Sequence, residues 1–117
     1  MSIPNHIDLI EFPASSNEGL AASKVFFTNV FGWKFQDWGE EYTDTKDSGT
    51  SAGIIADASG RASMPLTVVY VEDLEAARGK VTEAGGVITK EIFSFPGGRR
   101  FHFREPAGNE LAVWSDN

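Results

Sequence analysis

The run "HIDLIEF" (6–12) is short and rich in Ile, Leu and Phe, and it reads as a strand. "PASSNEG" follows it with turn and cap residues, and Ser15 with Glu18 three places on fits a capping box. Leu20, Val25, Phe27, Val30 and Phe31 then recur at helical spacing, with Gly32 as the stop. Gly, Ser and Asp separate three further strand candidates: "WKFQDW" (33–38), "EYTDTK" (41–46) and "SAGIIAD" (51–57).

The second half repeats this order. "MPLTVVYV" (64–71) is a strand, and Asp73 is the N-cap of a helix whose apolar stripe is Leu74, Ala77, Val81 and Ala84. Gly85 and Gly86 end it, and "VITKEIF" (87–93), "RRFHFR" (99–104) and "ELAVW" (110–114) close the chain as strands. Strand, helix and three strands, given twice, is an internal repeat of architecture. It predicts one domain over residues 1–117, with module one at about 1–57, a linker "ASGRAS" at 58–63 and module two at 64–117.

Composition narrows the function classes. The 17 acidic and 10 basic residues give a net charge of −7, which argues against nucleic acid or an anionic membrane as partner. There is no cysteine, hence no disulfide framework and no thiolate metal site. "MSIPNHIDLIEF" has neither a basic leader nor a cleavable apolar stretch, and no apolar run is long enough to cross a bilayer. A cytoplasmic protein is the expectation. No Ser-His-Asp pattern, dinucleotide fingerprint or phosphate-binding loop is present.

Three stretches together resemble the vicinal oxygen chelate superfamily, which includes glyoxalase I, bleomycin and fosfomycin resistance proteins and extradiol dioxygenases. They are "EFPASSNEGLAASKVFFTNVFGWKF" (11–35), "VVYVEDLEAARGKVTEAGGVITKEI" (68–92) and "FREPAGNELAVW" (103–114). The resemblance implies an α+β fold: two paired βαβββ modules forming a half-open, barrel-like mixed sheet with helices on the outer face. It also implies a homodimer.

In metal-dependent members of that superfamily, His or Glu ligands come from the first and last strand of each module. Counted from the neighbouring motifs, those positions fall here on Leu9, Leu66 and Ala112, with the fourth near Ile54. None has a lone pair for a divalent cation. No metal and no other cofactor is therefore expected.

Strand parity gives an independent view. Taking 9, 66 and 112 as facing the cleft, one face collects Leu9, Glu11, Leu66, Val68, Tyr70, Arg100, His102, Arg104, Glu110, Ala112 and Trp114. The other collects Ile10, Phe12, Val69, Val71, Phe101, Phe103, Leu111 and Val113, which suits packing under helices. The mixed face resembles a concave ligand surface, and Tyr42 joins it from a hairpin that lines the cleft in many members. Trp38 flanks the same hairpin, and core packing accounts equally well for it. The candidate ligand-binding residues are thus Leu9, Glu11, Tyr42, Leu66, Val68, Tyr70, Arg100, His102, Arg104, Ala112 and Trp114.

His102 and Glu11 are the candidates for catalysis. His102 lies three residues before the acidic turn residue, where the resemblance to extradiol dioxygenases implies an acid/base Tyr; a His sitting at the mouth of the sheet without chemistry is the plainer account. Glu11 reads as a base, a counter-charge, or a partner of Arg100 or Arg104. His6 has the opposite parity from Leu9 and reads as a surface residue. "FPGGRR" (95–100) reads as a mobile turn over the cleft, able to act as a lid. Three functional readings stay open at this point. One is a metal-independent protein that binds an aromatic or cationic small molecule. Another is a lyase, isomerase or dioxygenase with a displaced metal site using Glu11, His102 and Glu110. The third is a dimeric module with a vestigial cleft.

Overall fold

The computed structural model describes residues 2–117. Its elements are β1 (His6–Pro13), α1 (Asn17–Phe31), β2 (Phe35–Asp37), β3 (Tyr42–Thr45) and β4 (Ser51–Ile55), then β5 (Leu66–Tyr70), α2 (Leu74–Glu83), β6 (Val87–Phe95), β7 (Gly98–Arg104) and β8 (Glu110–Ser115). The α+β class and the repeated βαβββ order are as expected. The chain forms two compact units: Leu9–Leu66, and Thr67–Asn117 together with the segment ending at Asp8.

In the first unit the strands lie in the order β2-β3-β4-β1. β1 runs parallel to β4, while β3 is antiparallel to both β4 and β2. A parallel neighbour needs a crossover, which α1, β2 and β3 supply. Leu20 of α1 closes a small core with Ala14, Ile54 and Ala56, and Phe27 and Phe35 pack against it. The helix starts at Ser16, not Ser15: the Ser16 hydroxyl accepts from the Gly19 amide at 3.0 Å. Gly32 ends it at φ 74°, a conformation that costs glycine little.

The second unit has the order β5-β8-β7-β6, with β5 parallel to β8 and the remaining pairs antiparallel. Asp73 caps α2 through Ala76 as expected. Leu74 and Phe101, both 0 % exposed, form the centre of the core with Val113, and Ala77, Val81, Ile88 and Phe103 pack around them. Ala84 is exposed and does not extend the stripe. No helix among the described residues is long and apolar enough to cross a membrane.

Candidate functional site

Alternation along β5, β8 and β7 sets the module-two face. The register places Val68, Ala112 and His102 in one row and Tyr70, Trp114 and Arg100 in the next. Val68, Ala112 and His102 are 1 %, 0 % and 2 % exposed. On the opposite side Phe101, Phe103 and Val113 pack under α2, so the expected division of the two faces holds in this unit. Leu66 opens β5 with the parity of Val68 and is buried. Arg104 sits beside Glu110 at the strand end, exposed, and donates to the Gly108 carbonyl at 3.1 Å.

His102 is not at the mouth of the sheet; it is buried. Its Nδ1 stands 3.8 Å from Glu110 Oε2, too far for a hydrogen bond but close enough for a strong field. Glu110 in turn accepts from the Thr89 hydroxyl at 2.7 Å. The imidazole packs edge-on against Phe93 at 5.7 Å, and Lys90 and Arg100 stand over the same ring at 5.1 and 5.4 Å. Burial, reinforced by the charges of Arg100 and Lys90, pushes the His102 pKa down to about 4. The ring is therefore neutral at pH 7. The Glu110 carboxylate favours the tautomer with its proton on Nδ1, which leaves a lone pair on Nε2. That Nε2 is buried and has no hydrogen-bond partner among the described residues.

Aromatic rings continue the face. Trp114 meets Tyr70 edge-on at 5.0 Å and Phe95 at 6.1 Å, and its indole N–H donates to Asp8 at 3.1 Å. The Tyr70 hydroxyl donates to Asp116 at 3.1 Å. Burial, and then that bond, raise the phenol's pKa and keep it protonated.

Sequence reasoning missed Lys90, Phe93, Phe95 and Asp8. β6 carries two register shifts, between Ile88 and Lys90 and between Lys90 and Phe93. An even and an odd residue therefore reach the same side, and simple alternation fails there. The unpaired hydrogen-bonding need of an indole on a strand was the one signal for Asp8, and it does not say which carboxylate answers.

In the first unit, Leu9 and Glu11 lie in register with Ser51 and Gly53 of β4. Glu11 is 1 % exposed. A Cβ on Gly53 would lie 2.8 Å from the Tyr42 hydroxyl oxygen and 3.2 Å from a Leu9 methyl. The bare glycine is what lets Tyr42 and Leu9 lie together over β4. Ile54, expected near the fourth ligand position, instead points to α1 and packs on Leu20. The β4 residues sharing Glu11's side are Ile54's neighbours Gly53 and Ile55, together with Ser51. Trp38 is not a core residue: it is 58 % exposed, donates to Asp44 at 3.0 Å and carries Lys46 over its ring at 6.0 Å. His6 is exposed, as expected.

The segment at 95–100 is no lid. Phe95 pairs with Gly98, so Pro96 and Gly97 form a tight hairpin turn. Gly98 is pinned against β8, since a Cβ there would lie 2.0 Å from the Ser115 carbonyl oxygen.

Residues 9–113 match the Glyoxalase/Bleomycin resistance protein/Dioxygenase superfamily. Two mycobacterial proteins, from Mycobacterium bovis and Mycobacterium tuberculosis, are similar: CFP32, named as a candidate glyoxylase, is 28 % identical over 97 % of this chain. The chain spans 46 % of CFP32's own length. Among solved structures, a superfamily member from Vibrio splendidus superposes with a TM-score of 0.68 at 18 % identity, covering 92 % of this chain and 97 % of that one. The Mn(II)-bound glyoxalase of Novosphingobium aromaticivorans gives 0.65 at 21 % identity, covering 99 % of this chain and 40 % of that one. At these identities the two structures share the fold alone.

At the positions where the resemblance places the cation's ligands stand Leu9, Leu66 and Ala112, whose side chains offer only hydrocarbon. Among the described residues no group of three or more His, Cys, Asp or Glu could hold a metal ion.

Proposed function

Since the chain belongs to the glyoxalase/bleomycin resistance protein/dioxygenase superfamily, we propose that it binds a small aromatic molecule without the divalent cation that metal-dependent members use. One observation carries this reading: the row Val68–Ala112–His102. The methyl of Ala112 stands where the resemblance implies a carboxylate ligand, and it is flanked by a valine and a buried neutral imidazole. The rings of Phe93, Phe95, Tyr70 and Trp114 make that face suited to stacking. Lys90 and Arg100 stand over Phe93, which favours an aromatic over a cationic ligand. His102 Nε2 suits a ligand hydroxyl or N–H that donates to it. On this reading the protein works in the cytoplasm and has no nucleic-acid or membrane partner.

The rival reading, an enzyme with a cation displaced onto Glu11, His102 and Glu110, makes an opposite forecast about metal content. Elemental analysis of gently purified protein separates the two. Binding without the cation expects well under one Zn, Ni, Mn or Fe per chain, with Glu11→Ala and His102→Ala unchanged. A stoichiometric ion lost in either variant overturns it.

A further inference from the structure

The first register shift of β6 lies between Ile88 and Lys90: Ile88 pairs with Phe103, and Lys90 with His102. In an unbroken antiparallel ladder Thr89 would stand opposite His102. It is instead the extra residue of a bulge, and bulges re-aim side chains. The Thr89 hydroxyl donates to Glu110 Oε2 at 2.7 Å, and that same oxygen stands 3.8 Å from His102 Nδ1. Bulge, carboxylate and imidazole thus form one line of contacts. It ends on His102 Nε2, which is buried and has no hydrogen-bond partner among the described residues.

We infer that Glu110, held by Thr89, is a positioning residue that makes this face select phenols: neutral aromatic rings with a single O–H to donate. This rests on the reading that the protein binds a small aromatic molecule, and it narrows that reading. A carboxylate offers only lone pairs, so beside an imidazole nitrogen it favours the form with a proton on that nitrogen. With Glu110 next to Nδ1, the proton stays there and Nε2 can only accept. Moving it to Nε2 would set the Nδ1 lone pair against the carboxylate. Ligands that also only accept are therefore rejected. These are aryl ethers, aryl ketones and aryl carboxylates, the last despite the cations of Lys90 and Arg100 over Phe93. An aryl amine matches less well than a phenol. It brings a second N–H, and the side chains of Val68 and Ala112, which share the row with His102, offer no acceptor. Polar mismatch of this kind separates ligands more sharply than a difference of one methyl group.

Two measurements test this on Glu110→Gln and Thr89→Val. Gln keeps the size of Glu but carries an amide N–H that can donate to Nδ1, which lets the ring proton move to Nε2. Thr89 is exposed, so Thr89→Val removes the hydroxyl and leaves the core untouched. The first measurement is NMR of the imidazole nitrogens at pH 7; the chain has two histidines, and His6→Gln assigns the signals. In the parent, His102 should show a protonated, pyrrole-type Nδ1 and a pyridine-type Nε2. Glu110→Gln should shift the ring toward the opposite tautomer, which a loss of packing alone would not do.

The second is titration calorimetry with p-cresol, its methyl ether and p-toluate. In the parent, p-cresol should bind about tenfold or more tighter than either of the others. That preference should fall to about threefold or less in Glu110→Gln, and part of the way in Thr89→Val. A parent with its ring proton on Nε2 overturns the proposal. So does a methyl ether or a toluate that binds as tightly as p-cresol, although the aromatic-binding reading then survives. A preference that neither variant moves also overturns it, and if Glu110→Gln does not fold, Thr89→Val alone decides. If none of the three binds, the proposal fails; the reading beneath it fails too only if other aromatic compounds also leave the melting temperature unchanged.

Discussion

Glu110 holds its carboxylate 3.8 Å from Nδ1 of His102 while taking a 2.7 Å hydrogen bond from Thr89. A buried imidazole beside a carboxylate would ordinarily gain a proton. Here burial and the two cations over Phe93 outweigh that single attraction, and the ring stays neutral.

Stability must then depend on pH in a set direction. In the unfolded chain the imidazole takes up a proton below about 6.5, whereas in the fold it does so only near 4. The unfolded state holds more protons across that window, so stability falls as pH drops through it, by about 3 kcal/mol at most from this group. Urea unfolding at pH 7 and pH 4.5 should show a smaller loss in His102→Gln than in the parent. Equal losses in the two proteins would mean that His102 is charged in the fold or already solvated.

The two glycines of the β6–β7 turn should respond differently to alanine. At Gly98 the new Cβ meets backbone, 2.0 Å from the Ser115 carbonyl oxygen, so β8 itself must shift. Gly98→Ala should cost at least about 3 kcal/mol. At Gly97 the nearest atom, 2.8 Å away, is the far edge of the Phe95 ring, which can swing aside. Chemical denaturation should find Gly97→Ala within about 1 kcal/mol of the parent; similar costs at both sites would refute the close approach of the turn to β8.

Ser16, not its neighbour, should carry the start of α1. Ser16→Ala removes the acceptor of the Gly19 amide and should destabilise by about 1 kcal/mol. Ser15→Ala should leave the denaturation midpoint where it is. The reverse order would restore the capping box read from the sequence.

Much of the fold was legible because each module writes its own punctuation. Gly32 and Asp73 mark helix ends through backbone requirements that few other residues meet, and both stand where expected. The two-residue period then sorted His102, Ala112 and Trp114 from Phe101, Phe103 and Val113 correctly. It failed where the period itself breaks: the bulged β6 turned Phe93 onto the same face as Lys90. Ile54 was placed by the resemblance rather than by alternation, and it packs on the α1 side of β4. Exposure was the least legible property. Leu20 and Val30 carry the same apolar signal, yet one is 4 % and the other 53 % exposed, because periodicity says that a helix has an apolar side but not how many.

The central claim is that the protein binds a small aromatic molecule with no need of a divalent cation. The most direct measurement is the melting temperature in EDTA across a panel of aromatic compounds bearing hydroxyl or amine groups. At least one compound should raise it, and Trp114→Ala or Tyr70→Ala should abolish that rise. A rise that appears only after Mn, Ni, Zn or Fe is restored, or none anywhere in the panel, would contradict the account.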